Sequence, residues 1–224
     1  MTTLLITFGL LFILIIGFRV VYRKHKKTLD SYDFAFNYRN KFIECSNKYF
    51  KNHDRWSQSG ELDNELYVWL TKNVNKVQRD LGSFGIMDYM APFQRYHVEN
   101  YQIIVNTIPK FRNGQIQEFD VTSVDDCLLR YIGYQEERIE ENRKNLKNPF
   151  VWFRIGFQEI ISIPLYIFNW FGIFSKRTVN SIMDSVIYKI FTGIIALVTL
   201  TSSIVSIIQG KEKTIELINK ILGN

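Results

Sequence analysis

Hydrophobic positions gather at the two ends of this chain, and between them they recur with a helical period. Near the C-terminus, residues 190–208 read IFTGIIALVTLTSSIVSII, 19 positions without a charge. At about 1.5 Å per residue such a run matches a hydrocarbon core of about 30 Å. Within it, Thr192, Ala196, Thr199, Ser203, Ser206 and Gly210 recur at steps of four and three, which on a helix is one narrow stripe of small or hydroxylated side chains. Small residues let membrane helices approach closely, so the stripe predicts a packing partner. That partner is either the first apolar helix, which offers Gly9 and Gly17, or another copy of the chain around a hydroxyl-lined axis.

Residues 1–18 are also free of charge, and Arg19, Arg23, Lys24, Lys26 and Lys27 follow at once. No basic segment precedes the apolar run and no small-residue cleavage site follows it, which predicts an uncleaved signal anchor. The positive-inside rule places the basic cluster in the cytoplasm and Met1 outside. The same cluster suits anionic lipid headgroups.

The middle reads as helices. Ala35, Tyr38, Phe42, Cys45 and Tyr49 share a face at steps of three and four, predicting a helix from Thr28 to about Phe50. Leu62, Leu66, Leu70, Val74, Val77 and Leu81 predict a second over 61–81, stopped by Gly82. A third is expected from Pro92 to Ile108, ended by Pro109, and a fourth from a cap at Thr122 or Ser123 to about Lys147. A short extended piece is expected between Gln115 and Val121.

Residues 150–174 are apolar and rich in aromatics, but Arg154, Gln158 and Ser162 line one face, Glu159 is adjacent, and Pro164 interrupts. The favoured reading is an interfacial or re-entrant helix, with Trp152, Arg154, Glu159 and Trp170 near headgroup depth; a kinked span is the alternative. The fold expected is thus an all-α membrane protein. Its parts are a transmembrane anchor with a basic stop (1–27), a cytosolic helical bundle (28–149), an interfacial or kinked membrane helix (150–178), a transmembrane helix (179–210) and a short amphipathic tail (211–224).

Charge refines this picture. The net charge is +6. The cluster at 19–27 contributes +5, residues 28–149 hold 16 basic against 18 acidic groups, and the remainder holds 7 against 4. The basic excess is therefore juxtamembrane, and no clustered face for nucleic acid exists in the middle. Cys45 and Cys127 lie too far apart in sequence for a CxxC pair, and they are expected to stay reduced in a cytosolic domain. His53, Asp54, His97 and the two cysteines share no ligand spacing, so no metal site is expected. Glu136, Glu137, Glu140 and Glu141 are interleaved with Arg138, Arg143 and Lys144, the pattern of a solvated helix face, with Glu140 and Lys144 spaced as an i,i+4 pair. No phosphate-binding loop, nucleophile elbow or dinucleotide fingerprint occurs, so no catalytic residue and no cofactor is assigned.

The function expected is that of a non-enzymatic membrane protein in a bacterial inner membrane; the Lys, Asn and Ile usage suits an AT-rich bacterial genome. It would form a homo-oligomer through its membrane helices, contact lipids, and use its cytosolic domain to sense or bind a protein partner, with a pore as one outcome. A membrane-tethered scaffold or regulatory subunit is the first alternative. A lipid-acting enzyme using Arg154, Glu159 and His97 is the second.

Overall fold

The computed structural model describes residues 2–51, 62–90 and 97–222, with side chains for 5–51, 62–90 and 97–208. Among these, the helices are α1 (Thr2–Lys51), α2 (Asn64–Leu81), α3 (Ile103–Arg112), α4 (Glu118–Leu146), α5 (Pro149–Trp170), α6 (Lys176–Asp184) and α7 (Val186–Leu222). Two short strands, β1 (Ile86–Tyr89) and β2 (Val98–Gln102), pair antiparallel. Segments of α1, α5 and α7 are long and apolar enough to cross a membrane. The protein is an all-α membrane protein with one added hairpin. It divides into two compact units, a membrane unit of residues 1–25 and 141–224 and a module of residues 26–140.

The module is built on the second half of α1. Ala35, Tyr38, Phe42, Cys45 and Tyr49 are all buried, as their spacing requires. Phe42 and Tyr49 both meet the ring of Phe111 edge-on, at 6.0 and 5.5 Å between centroids. α2 begins at Asp63, whose Oδ1 accepts the backbone N–H groups of Glu65 and Leu66 at 3.1 Å. It ends at Gly82, where a φ of +53° suits only a residue without a Cβ. α4 closes the core with Val124, Cys127, Leu128, Tyr131 and Ile132. It is tied to α1 by a two-pronged Arg39–Asp125 ion pair, 2.6 and 3.0 Å.

Four expectations change here. The helix expected from Pro92 is replaced, over its described part, by β2 followed by α3. Val98 and Tyr101 are good strand residues, and Met87↔Tyr101 and Tyr89↔Val98 set the register. Residues 91–96, Pro92 among them, lie outside the described residues, as do His53 and Asp54. Second, α3 runs through Pro109 to Arg112. The lost hydrogen bond is outweighed by burial of Ile108 and Phe111 on either side of the proline. Third, the extended piece expected up to Val121 is helical from Glu118, and Thr122 is inside α4, its hydroxyl donating to the Glu118 carbonyl at 3.0 Å. Fourth, α7 passes through Gly210 without a break, so the tail is not a separate helix.

A buried polar cluster fixes the hairpin to α3 and α4. Tyr89 Oη donates to Asp120 Oδ1 at 2.7 Å, and Lys110 Nζ donates to the same oxygen at 2.7 Å and to Tyr89 Oη at 3.0 Å. Asp120 Oδ2 accepts the Gln117 N–H. Burial works to lower the Lys110 pKa, but its bonds to Asp120 and Tyr89 prevail and hold the amine above its ordinary range. A second device is Gln78. Its Nε2 donates to the Gly85 carbonyl at 2.8 Å, while its Oε1 accepts the N–H of Ile104 at 3.1 Å and so caps α3 from a different helix.

Candidate functional site

Polar groups in an apolar helix long enough to cross a membrane are costly unless they serve packing or function, and α5 carries Arg154, Gln158, Glu159 and Ser162. α5 starts on Asn148, whose Oδ1 accepts the Phe150 N–H at 3.0 Å, with Pro149 in the first helical position. It continues through Pro164 as one helix of 22 residues, about 33 Å long. Membrane helices tolerate such a proline where neighbouring groups satisfy the freed backbone.

α5 meets α1 backbone to backbone. A Cβ added at Gly17 would collide with the Trp152 carbonyl and stand 2.9 Å from the Gly156 nitrogen. One added at Gly156 would collide with the Ile13 carbonyl and stand 2.9 Å from the Gly17 nitrogen. The two glycines therefore admit each other. Phe18 lies edge-on to Trp152 at 5.0 Å, and the Trp152 indole N–H donates to the Asn145 carbonyl at 3.1 Å. Ile13 beside Gly156 and Gly17 beside Trp152 make the pair antiparallel.

α7 lies along α5, again antiparallel. Ser162 is fully buried; its hydroxyl bonds the Gln158 carbonyl at 2.6 Å and the Tyr188 hydroxyl at 2.8 Å. Nine and eight residues earlier on α5, Phe153 and Arg154 share a pocket of about 270 Å³ with Phe150, Gly193, Ala196, Leu197 and Leu200. Between these contacts the hydroxyl stripe divides. Thr192 and Ala196 are buried, and the Thr192 hydroxyl donates to the Tyr188 carbonyl at 2.8 Å. Thr199, Ser203 and Ser206 are half-buried, level with and beyond the first turn of α5. The partner of the stripe's first half is thus α5. Gly17 is taken by Gly156, and a Cβ added at Gly9 would meet nothing within 4 Å among the described residues, so the packing expected between these glycines and the stripe is not what the structure shows.

Trp152 and Trp170 are 18 positions apart on α5, about 27 Å, and Trp170 is 82% exposed. Glu159 accepts the Tyr166 hydroxyl at 3.2 Å. Arg154 is exposed and, among the described residues, has no hydrogen bond or ion pair. Arg19, Arg23, Lys24, Lys26 and Lys27 are exposed along α1. Cys45 and Cys127 are free and buried, and burial pushes the Cys45 thiol up to about 11. His97 is exposed, and among the described residues no three His, Cys, Asp or Glu side chains converge. The reciprocal glycines and the Ser162–Tyr188 bond were missed in sequence. Gly17 and Ser162 were visible as a packing glycine and part of a polar face; their partners Gly156 and Tyr188 were not. No protein family, no characterised protein and no solved structure matches this chain.

Proposed function

We propose that this is a non-enzymatic protein of a bacterial cytoplasmic membrane that couples partner binding in a cytosolic helical module to self-association of its membrane helices. The observation that carries the reading is α1. It is one 50-residue helix, with no glycine or proline after Gly17, whose first part meets α5 at Gly17 and whose second part is the spine of the module core. A displacement of the spine reaches the membrane unit through continuous helix.

In this reading α5 spans the bilayer. Its antiparallel contacts with both α1 and α7 support that, as does the Trp152–Trp170 spacing, which matches the two aromatic belts of a core about 30 Å thick. Both edges of the module are then basic: Arg19 to Lys27 after the apolar first part of α1, and Arg143, Lys144 and Lys147 before α5. That favours a cytoplasmic module, with the N-terminus outside and the α5–α6 turn on the far side. Ser203 and Ser206, which extend past the α5 contact, are the surface assigned to the second copy. Conduction is not required by this scheme.

Photo-crosslinking residues at Val68 and Leu129, two exposed apolar positions of the module, test the partner. One discrete protein adduct in cells is expected. A Gly-Gly-Ser insertion after Lys26 should leave that adduct in place but uncouple it from crosslinking between copies through Ser203→Cys. Absence of any adduct, or coupling that survives the insertion, contradicts the proposal. Survival would favour a simple tethered scaffold.

A further inference from the structure

The groove between α5 and α7 has two small residues, Gly193 and Ala196, on its α7 wall and one cation at its rim. Its volume, about 270 Å³, falls just short of the roughly 300 Å³ at which pockets for whole small ligands begin. The lining is hydrocarbon from Phe150, Phe153, Leu197 and Leu200, apart from Arg154. Gly193 stands on this wall with open space where a Cβ would be, so the groove is left unfilled by the chain itself.

Arg154 is the second observation. Five residues past Pro149 it is about 7.5 Å along the helix, close enough for its side chain to reach the headgroup layer. Among the described residues it has no hydrogen bond or ion pair, and no acidic residue precedes Glu159 on α5. Glu159 itself accepts the Tyr166 hydroxyl. An unpartnered guanidinium at the rim of an apolar groove between membrane helices is complementary to a phosphate carried on an acyl chain.

The geometry points to a site for one anionic phospholipid from the leaflet at which α5 begins, with an acyl chain in the groove and the phosphate on Arg154. The inference rests on the spanning reading of α5 given above.

The test is native mass spectrometry of the purified full chain with added phosphatidylglycerol or phosphatidylcholine of the same acyl chains. The wild type should retain phosphatidylglycerol preferentially. Arg154→Gln should weaken that retention about tenfold, or about 1.4 kcal/mol, and leave phosphatidylcholine unchanged. Arg154→Lys should keep most of the preference. Gly193→Leu, which fills the groove, should lower retention of both lipids. Arg154 is exposed, so its substitutions leave packing intact. Equal phosphatidylglycerol retention by the wild type and Arg154→Gln overturns the site. So does a disulfide between copies of Gly193→Cys that excludes lipid, since the groove is then a protein interface. Labelling a cysteine at Ile173 from each side separates the two failures. If residue 173 lies opposite the module and Arg154→Gln changes nothing, only the lipid site falls. If it lies on the module's side, the spanning reading falls.

Discussion

Replacing Gly17 by alanine adds a single methyl group, yet the structure gives that methyl nowhere to go. Its position collides with the Trp152 carbonyl and lies 2.9 Å from the Gly156 nitrogen. Both obstacles are helix backbone and cannot rotate aside. Contact between such atoms is favourable at about 3.5–4.0 Å, so α1 and α5 must part by roughly an ångström, a gap that forfeits about a quarter to a half of each dispersion contact along the seam. Overpacking of this kind costs about 1–3 kcal/mol. Gly156→Ala meets the Ile13 carbonyl in the same way and should cost a similar amount. Once the helices have parted for one methyl, the second enters more cheaply. The double variant should therefore be less destabilised than the sum of the two by about 1 kcal/mol or more. Gly9→Ala is the control, with nothing within 4 Å and an expected change within about 0.5 kcal/mol. Reversible unfolding of the full chain in mixed micelles, titrated with SDS, reads all four. A Gly17→Ala variant as stable as Gly9→Ala, or strict additivity in the double variant, refutes the backbone contact.

Further expectations concern the module. Lys110→Met leaves the Asp120 carboxylate, 1% exposed, without its cation, and should cost about 3–5 kcal/mol in urea unfolding, whereas Tyr89→Phe should cost about 1 kcal/mol. Asp63→Ala removes the α2 cap and should cost about 1 kcal/mol. The Leu66 N–H and the Lys48 amine hold the Asp63 carboxyl below its usual value, so its contribution is present above about pH 3.9 and is lost as pH falls through the lower folded value. An Asp63→Asn variant should therefore show a flatter stability profile between pH 5 and the acid limit, about 2. Cys45, buried and with its thiol raised to about 11, should resist maleimide at neutral pH until the module unfolds; labelling at the rate of a free thiol in the native protein contradicts this.

What could be read in the sequence was what a single helix dictates. The stripe of Ala35, Tyr38, Phe42, Cys45 and Tyr49, the stop at Gly82 and the apolar runs report local periodicity and backbone preference, and each is where it was expected. What was hidden depends on a distant partner. α3 starts where it does because Gln78, on another helix, caps Ile104. The segment around Val98 becomes a strand because Met87 and Tyr89 offer it an edge. Gly9 and Gly17 look alike in sequence, and only the presence of Gly156 opposite one of them distinguishes them. Pro164 and Gly210 suggest breaks, yet α5 and α7 are continuous through them. At the candidate site the residue types were visible as a polar face on α5, but the pairing of Ser162 with Tyr188 needs the antiparallel register of α7.

If α5 is the middle span of three, as proposed, Ile173 and Val68 are reached from opposite faces of the membrane. Because both native cysteines are buried, single introduced cysteines at Ile173 and at Val68 can be labelled in intact cells and in inverted vesicles with a membrane-impermeant maleimide. Ile173→Cys should react only in intact cells and Val68→Cys only in inverted vesicles. Labelling of both from the same side would contradict the three-span reading.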